Sequence, residues 1–233
     1  MVLLNCGCGI NFSLIVPNSK CINTVSKLSI FICMNYLAHA WLSFNKPDIL
    51  AGNMISDYIK GKKQFDYPQA IQKGIRLHRA IDNYTDSHAA TQQLKSFFRP
   101  QYRLYSGAFA DVVYDHFLAN DTQEFVNEAA LQLFAVNTYQ MLEPYKSWFP
   151  PQFEMMFPYM KQYDWLYNYR HTRAIEKSFE GLVKRSAYLT ESRIAFELFN
   201  EFYAEMQLCY TAFFPDLKKY TARHLDELLA GSG

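Results

Sequence analysis

Cysteine is nearly absent from the body of this chain. Of five cysteines, Cys209 alone follows Met34, so the main part of the sequence cannot form an internal disulfide framework. Such usage is typical of a cytoplasmic protein. Cys209 lies in an apolar segment with no neighbouring base, which favours a core residue over a nucleophile. The other four are Cys6, Cys8, Cys21 and Cys33.

Long apolar runs are missing as well. No stretch approaches the ~20 apolar residues that a transmembrane helix needs, so no membrane span is expected. Residues 1–33 also lack the charged start and unbroken apolar segment of a secretory signal. We interpret them as a disordered or spurious extension; membrane or lipid attachment through their cysteines is the alternative. One folded domain is expected over residues 34–230.

The chain has little net charge, a formal +1 at pH 7, which argues against general nucleic-acid affinity. The charges are nevertheless uneven. Residues 60–103 contain nine Lys or Arg against three acids, whereas residues 104–145 contain six acids and no Lys or Arg. The basic run predicts a face for an acidic partner, with a simple solvated helix face as the alternative.

No segment shows convincing strand alternation, whereas apolar residues recur at helical spacing through most of the chain. The pattern predicts an all-α, single-domain bundle of about seven to eight helices. A loop is expected at residues 99–101, and prolines should break the helical pattern between residues 144 and 169. The predicted helices cover residues 35–44, 47–60, a long segment from 68, 108–119, 122–142, 172–187, 191–213 and 215–229.

The most informative pattern joins one imidazole to two carboxylates. His78, Asp82 and Asp86 follow one another at four-residue spacing, so on a helix they lie on one face about one turn apart. Residues 111–116 show a similar pattern, in which Asp111 and Asp115 are four residues apart and His116 follows the second carboxylate. Oxygen ligands mixed with imidazole suit Mn, Mg, Fe or Zn, and helical proteins build metal centres from such sets. A metal-dependent hydrolase is predicted.

Four short motifs stand out in the chain: Met34-Asn35-Tyr36-Leu37-Ala38-His39-Ala40; Gly52-Asn53 with Asp57; Gly74-Ile75 with His78-Arg79 and Ile81-Asp82; and Asp115-His116-Phe117-Leu118. In this order and spacing they resemble the bacterial acyl carrier protein phosphodiesterases. The resemblance covers residues 34 to about 229, with the sharp motifs in the first half. It implies an all-α fold related to the HD phosphohydrolases, a divalent metal, usually manganese, and hydrolysis of the phosphopantetheine arm from holo-acyl carrier protein.

Six candidate ligands leave no position for water or substrate on one octahedral ion, so either two ions bind or some residues only orient the others. Manganese is the expected metal, with Mg²⁺ or Fe²⁺ as alternatives. Asp86 and Asp111 are predicted to orient histidines, and Arg79 to clamp a phosphate oxygen. The Asp115-His116 pair reverses the usual HD order, so which of the two is a ligand stays open. The ligand candidates are His39, Asp57, His78, Asp82, Asp115 and His116.

The predicted reaction is attack of a metal-activated water on the phosphodiester, giving apo-acyl carrier protein. Two alternatives remain: a metal-dependent phosphohydrolase of a small phosphoester or nucleotide, and a non-enzymatic helical binding module for acyl carrier protein. A purely structural role for the polar set would bury five or more polar groups at a high desolvation cost. The basic residues expected to guide the acidic protein toward His78 are Lys60, Lys62, Lys63, Lys73 and Arg76.

Overall fold

The computed structural model describes residues 36–231; the predicted extension, residues 1–33, lies outside them. Within the described range the chain forms eleven α-helices and several short 3₁₀ turns but no strand, which confirms the predicted all-α class. None of these helices combines the length and apolar character that crossing a membrane requires. The helices are α1 (Tyr36–Trp41), α2 (Pro47–Ile55), α3 (Gln69–Ser87), α4 (Ala89–Tyr102), α5 (Ser106–Ala119), α6 (Glu128–Leu142), α7 (Pro151–Gln162), α8 (Trp165–Asn168), α9 (Thr172–Arg185), α10 (Arg193–Glu201) and α11 (Tyr203–Ala230).

The described range contains more helices than the seven or eight predicted, because long predicted segments divide. The helix that starts near residue 68 ends at Ser87. His88 then adopts an extended conformation, and its Nδ1 accepts a hydrogen bond from the Ala90 N–H, which caps α4. Helices α7 and α8 occupy the region where prolines were expected to break the pattern. Pro151 is the first residue of α7, a position that tolerates proline.

Two proline-based boundaries in the prediction are wrong. Pro100 lies inside α4 instead of in a loop, and Pro215 lies inside α11 instead of starting a helix. Proline in a helix interior costs ~3 kcal/mol through its lost hydrogen bond and a steric clash. Burial of Phe98 and Tyr102 in α4, and of Phe214 in α11, offsets that cost, since each large side chain contributes about 1.5–3 kcal/mol.

Helix α5 runs through the middle of the bundle. Every residue from 109 to 119 is buried, including three polar ones, which is the pattern of a helix surrounded by protein. Aromatic side chains from α4 and α9 pack on it. The Phe109 ring lies 5.5 Å from that of Phe98 and 5.0 Å from that of Phe179, measured between centroids. Cys209 of α11 is buried, which confirms its prediction as a core residue.

Helices α2 and α3 cross at two glycines. A Cβ atom added to Gly52 would lie 2.1 Å from the carbonyl oxygen of Ile71, and one added to Gly74 would lie 2.3 Å from that of Ile49. The two backbones can therefore touch only because both residues lack a side chain. The crossing places Asn53, the residue after Gly52, opposite the turn of α3 that follows Gly74 and contains His78.

We predict that Gly74→Ala separates α2 from α3 and lowers the free energy of unfolding by about 2–3 kcal/mol, a usual cost of overpacking. Alanine is the better helix former, so propensity alone would predict the opposite sign. Denaturant unfolding followed by circular dichroism measures the change. Gly107→Ala in α5 is the matched control, because its added Cβ first meets the flexible Lys95 side chain at 3.4 Å. Equal stability of the two variants would contradict the prediction.

Candidate metal centre

Four of the six predicted ligands come together where α1, α3 and the 3₁₀ turn Ser56–Tyr58 meet. The Nε2 atom of His78 lies 3.1 Å from Asp57 Oδ1 and 3.1 Å from Asp82 Oδ2. The Nε2 atom of His39 lies 3.2 Å from Asp82 Oδ1, so the Asp82 carboxylate spans both rings. The imidazoles are stacked, with centroids 3.9 Å apart. We call these four residues the histidine–carboxylate cluster.

Asn53, on α2, orients both histidines. Its Nδ2 donates to the His39 carbonyl at 2.9 Å and to Ser43 Oγ at 3.1 Å, which fixes which end of the amide carries the oxygen. The Oδ1 atom then accepts from His39 Nδ1 at 2.7 Å, and the Asn53 carbonyl accepts from His78 Nδ1 at 2.8 Å. Because both Nδ1 atoms are donors, the Nε2 atoms are the ones left to face the carboxylates.

The titratable groups of the cluster shift one another's pKa values. Burial and the neighbouring His78 lower the pKa of His39, whose buried Nε2 lies 3.2 Å from Asp82 Oδ1. Burial opposes the charged form of His78 too, but Asp82 and Asp57 raise its pKa to about 10. For Asp82, the two histidines outweigh burial and hold its pKa well below the usual range.

A divalent cation fits this arrangement. One ligand atom each from His39, His78 and Asp82 lies within 4.8 Å of the other two, and Asp57 adds an oxygen beside His78. Once a cation displaces the proton of His78, two imidazoles and carboxylate oxygens form the mixed set that suits Mn, Fe or Zn. The histidine side chains are buried, whereas that of Asp82 is 36% exposed. The open side of the cluster is therefore the carboxylate side.

Asp115 supports the cluster indirectly, by holding helix α1 in place. Its two oxygens accept hydrogen bonds from the backbone N–H groups of Leu37 and Ala38, at 3.0 and 2.8 Å. These are N–H groups of the first turn of α1, which have no partner within their own helix. Burial raises the pKa of Asp115, although both N–H donors oppose the shift. The carboxylate thus anchors α1, the helix that carries His39.

His116 bridges distant parts of the chain. Its Nδ1 lies 2.8 Å from the Tyr169 carbonyl oxygen and its Nε2 lies 3.0 Å from the Tyr203 hydroxyl, so both ring nitrogens have protein partners. Among the described residues, the metal-ligating group does not include His116 or Asp115. Their assignment as ligands stays a prediction.

The remaining predicted residues make other contacts. Arg79 donates to Gln64 Oε1 and to the Ile59 carbonyl, both at 3.1 Å, and so ties the 3₁₀ segment Gly61–Asp66 to α3. Asp86 is exposed and pairs with Lys95 at 2.6 Å. Asp111, buried on α5, lines the same cavity as Asp86. The hydrogen bonds to the two histidine Nδ1 atoms come from Asn53, and an orienting role for Asp86 and Asp111 stays a prediction.

Asn53 is thus the site residue that sequence reasoning missed. Asn53 belongs to the Gly52-Asn53 motif and precedes Asp57 by four residues. That position was the only sequence feature that could have indicated a role in the site. Asparagine is neutral, however, so it does not stand out as a candidate ligand. Its contribution is that it hydrogen-bonds a histidine ring on α1 and another on α3. This pair of contacts becomes visible only when the crossing of α2 and α3 is known.

A family model described as acyl carrier protein phosphodiesterase matches residues 34–217. A protein named acyl carrier protein phosphodiesterase from Klebsiella pneumoniae subsp. pneumoniae is 30% identical over 186 residues, 80% of this chain and 96% of the relative. A protein of the same name from Pectobacterium atrosepticum is 29% identical over 182 residues, 78% of this chain and 94% of the relative. No solved structure matches the chain significantly.

We predict that His78→Ala and Asp82→Ala each cause a severe loss of bound Mn²⁺ while helical content stays close to that of the unaltered protein. Each change removes a candidate ligand atom and leaves the close contact of α2 and α3 at Gly52 and Gly74 in place. Metal analysis after dialysis and circular dichroism measure the two quantities. Asp86→Ala, one turn further along α3, is the matched comparison and should lose far less metal. Full retention of metal by both cluster variants would remove these residues from the site.

We also predict that Asn53→Ala weakens Mn²⁺ binding about 10–100-fold, the usual effect of losing a residue that orients ligands. Titration with Mn²⁺ measures the affinity. Ser43→Ala is the control, because it removes a different contact of the Asn53 amide and leaves both histidine hydrogen bonds in place. An Asn53→Ala protein that binds Mn²⁺ as tightly as the Ser43→Ala protein would contradict the orienting role.

Proposed function

The chain belongs to the acyl carrier protein phosphodiesterase family, and from that premise we propose that it hydrolyses the phosphodiester joining 4'-phosphopantetheine to the serine of holo-acyl carrier protein. The products are apo-acyl carrier protein and free phosphopantetheine. The observation that carries the proposal is the histidine–carboxylate cluster. Three of the four sequence motifs supply its residues, and each Nε2 atom faces carboxylate oxygen.

The reaction sets clear requirements. A phosphodiester carries a negative charge that repels an attacking hydroxide, and its serine alkoxide is a poor leaving group. A divalent cation in the cluster, with manganese as the first candidate and Mg²⁺ or Fe²⁺ as alternatives, would neutralise phosphate charge and lower the pKa of a water. The protein must then hold the cation, orient the substrate and supply protons.

The positions and charges of the cluster residues suit them to hold a cation. Asn53 accepts a hydrogen bond from the Nδ1 atom of both histidines, so no ring has to turn before its Nε2 can bind. Asp57 and Asp82 supply the negative charge that balances a divalent ion. Since Asp82 lies at the exposed side of the cluster, a substrate phosphate reaches the site from that side.

The basic segment suits an acidic protein substrate. Lys60, Lys62 and Lys63 are exposed at the segment that follows the 3₁₀ turn bearing Asp57. Arg79 holds that segment against α3, so the lysines stay close to the cluster. Charges placed at the rim of a site act mainly on association rate and salt dependence.

The primary test is incubation of the full chain and Mn²⁺ with holo-acyl carrier protein, followed by intact mass measurement of the carrier protein. We expect loss of the arm, and no loss with the Asp82→Asn variant. Metal binding with no turnover of holo-acyl carrier protein, but turnover of small phosphoesters, would replace the proposal with the general phosphohydrolase. Metal binding with no turnover of any phosphoester would favour the non-enzymatic binding module.

A second prediction concerns the basic segment. Replacing Lys60, Lys62 and Lys63 with Glu should raise KM for holo-acyl carrier protein and weaken the dependence of the rate on ionic strength, with kcat nearly unchanged. Steady-state kinetics at several salt concentrations measures both effects. The matched control reverses Arg193, Lys219 and Arg223, three exposed residues of α10 and α11, and changes net charge equally. Equal effects of the two triple variants would contradict docking at the basic segment.

A further inference from the structure

A cavity of about 930 Å³ lies along one face of α9. Its volume is in the range of sites that bind small molecules. It is lined by four Arg or Lys side chains and, among the described residues, by no Asp or Glu. None of the four residues of the histidine–carboxylate cluster lines it, so it is separate from the candidate metal centre. The cations are Arg170, Arg173, Lys177 and Arg185.

Two of these cations, Arg173 and Lys177, have no partner in the described part of the chain. They are exposed and lie one turn apart on α9. Neither side chain makes an ion pair or a hydrogen bond with another described residue. Arg170, by contrast, pairs with Glu128 at 2.5 Å and with the Tyr167 hydroxyl at 3.1 Å. Two positive charges therefore line the cavity without a paired acid.

This pair of charges is unfavourable for α9 itself. Like charges four residues apart destabilise a helix, and Arg173 lies in the first turn, where a cation opposes the helix dipole. Glu180 is close enough in sequence to pair with Lys177 but instead contacts Lys184 at 3.7 Å. Proteins keep such local conflicts mainly at functional sites. An anion bound between the two cations would offset their repulsion.

Gly181 is a second conflict on the same face of α9. Glycine is a poor helix former, yet this one lies inside the helix. A Cβ atom added to it would lie 3.0 Å from Arg185 Nη1. The missing side chain therefore leaves room for the Arg185 guanidinium at the wall of the cavity. Both conflicts lie on the face that lines the cavity.

A phosphate monoester matches the side chains that line this cavity. It carries about 1.5–2 negative charges near pH 7 and three acceptor oxygens, so it suits two neighbouring cations. The hydroxyls of Thr172 and Ser178 line the same cavity and can donate to a phosphate oxygen. Tyr163 and Trp165 add aromatic surface, which the rest of the ligand can contact.

We propose that this cavity binds a phosphate monoester, with Arg173 and Lys177 holding the phosphate and Tyr163 and Trp165 contacting the rest of the ligand. The site goes beyond the proposed function, because it lies outside the cluster and its affinity does not depend on turnover. Two sources of the monoester share this chemistry. One is free phosphopantetheine, the product of the proposed reaction, and the other is a nucleoside monophosphate, whose base would stack on the aromatic surface.

The test is isothermal titration calorimetry of the full chain with 4'-phosphopantetheine, adenosine monophosphate and inorganic phosphate. EDTA is present, so that no metal ion in the cluster can hold a phosphate. Replacing Arg173 and Lys177 with Gln should weaken the binding of each about 10–100-fold, the loss expected when hydrogen bonds to a charged group are removed. The matched control replaces Lys184 and Arg193, two exposed cations outside the cavity, with Gln. Equal affinity of the two double variants, or no binding by the unaltered chain, would overturn the inference.

The same titrations identify the source of the monoester. Tighter binding of adenosine monophosphate indicates a nucleotide, tighter binding of phosphopantetheine indicates the product, and either result supports the phosphate site. Inorganic phosphate cannot contact the aromatic surface and should bind more weakly than the preferred monoester. Since neither metal nor carrier protein is present, failure of the proposed function would leave these results unchanged.

Thermal unfolding separates binding from a structural role of the two cations. The double Gln variant loses the like-charge repulsion, so without ligand it should unfold at the same temperature as the unaltered protein or at a higher one. A clear fall in its unfolding temperature would mean that Arg173 and Lys177 stabilise the fold, which would contradict the inference.

Discussion

The contact between Gly52 and Gly74 is the constraint on which the candidate site depends. It lets the backbones of α2 and α3 touch, and this closeness allows one asparagine to reach rings on two other helices. Side chains of ordinary size at either position would hold the helices apart. Asn53 would then be unable to satisfy both Nδ1 atoms, and the shared direction of the two Nε2 atoms would be lost. Two hydrogen atoms in place of methyl groups thus set the geometry of the candidate metal ligands.

The cluster is also supported by buried polar groups that never contact it. Asp115 holds the first turn of α1, and His116 connects α5 to the carbonyl of Tyr169 and the hydroxyl of Tyr203. Buried polar groups are costly unless they are hydrogen-bonded, and these are. The adjacent pair in the fourth motif thus joins the N-terminal helix to the C-terminal half. Its residues keep elements of high sequence separation in register around the site.

Sequence reasoning succeeded where a pattern is local. The four-residue spacing of His78 and Asp82 depends only on helix geometry, and the resemblance to a family supplied His39 and Asp57. It failed where tertiary packing outweighs local preference. Pro100 and Pro215 remain helical because the aromatic side chains around them are buried. The role of Asn53 was equally hidden, because a hydrogen bond between residues of three helices leaves no periodic signal in the chain.

The fixed orientation of the His39 and His78 rings has a kinetic consequence. Because Asn53 holds both Nδ1 atoms by hydrogen bonds, binding of a cation would require no rotation of an imidazole. The groups that would move are the two carboxylates, of which Asp82 is the more exposed. A cation would then enter and leave by exchange of carboxylate and water ligands, while the nitrogen side of the site stays rigid. Its residence time would accordingly be set by the side of the cluster that faces solvent.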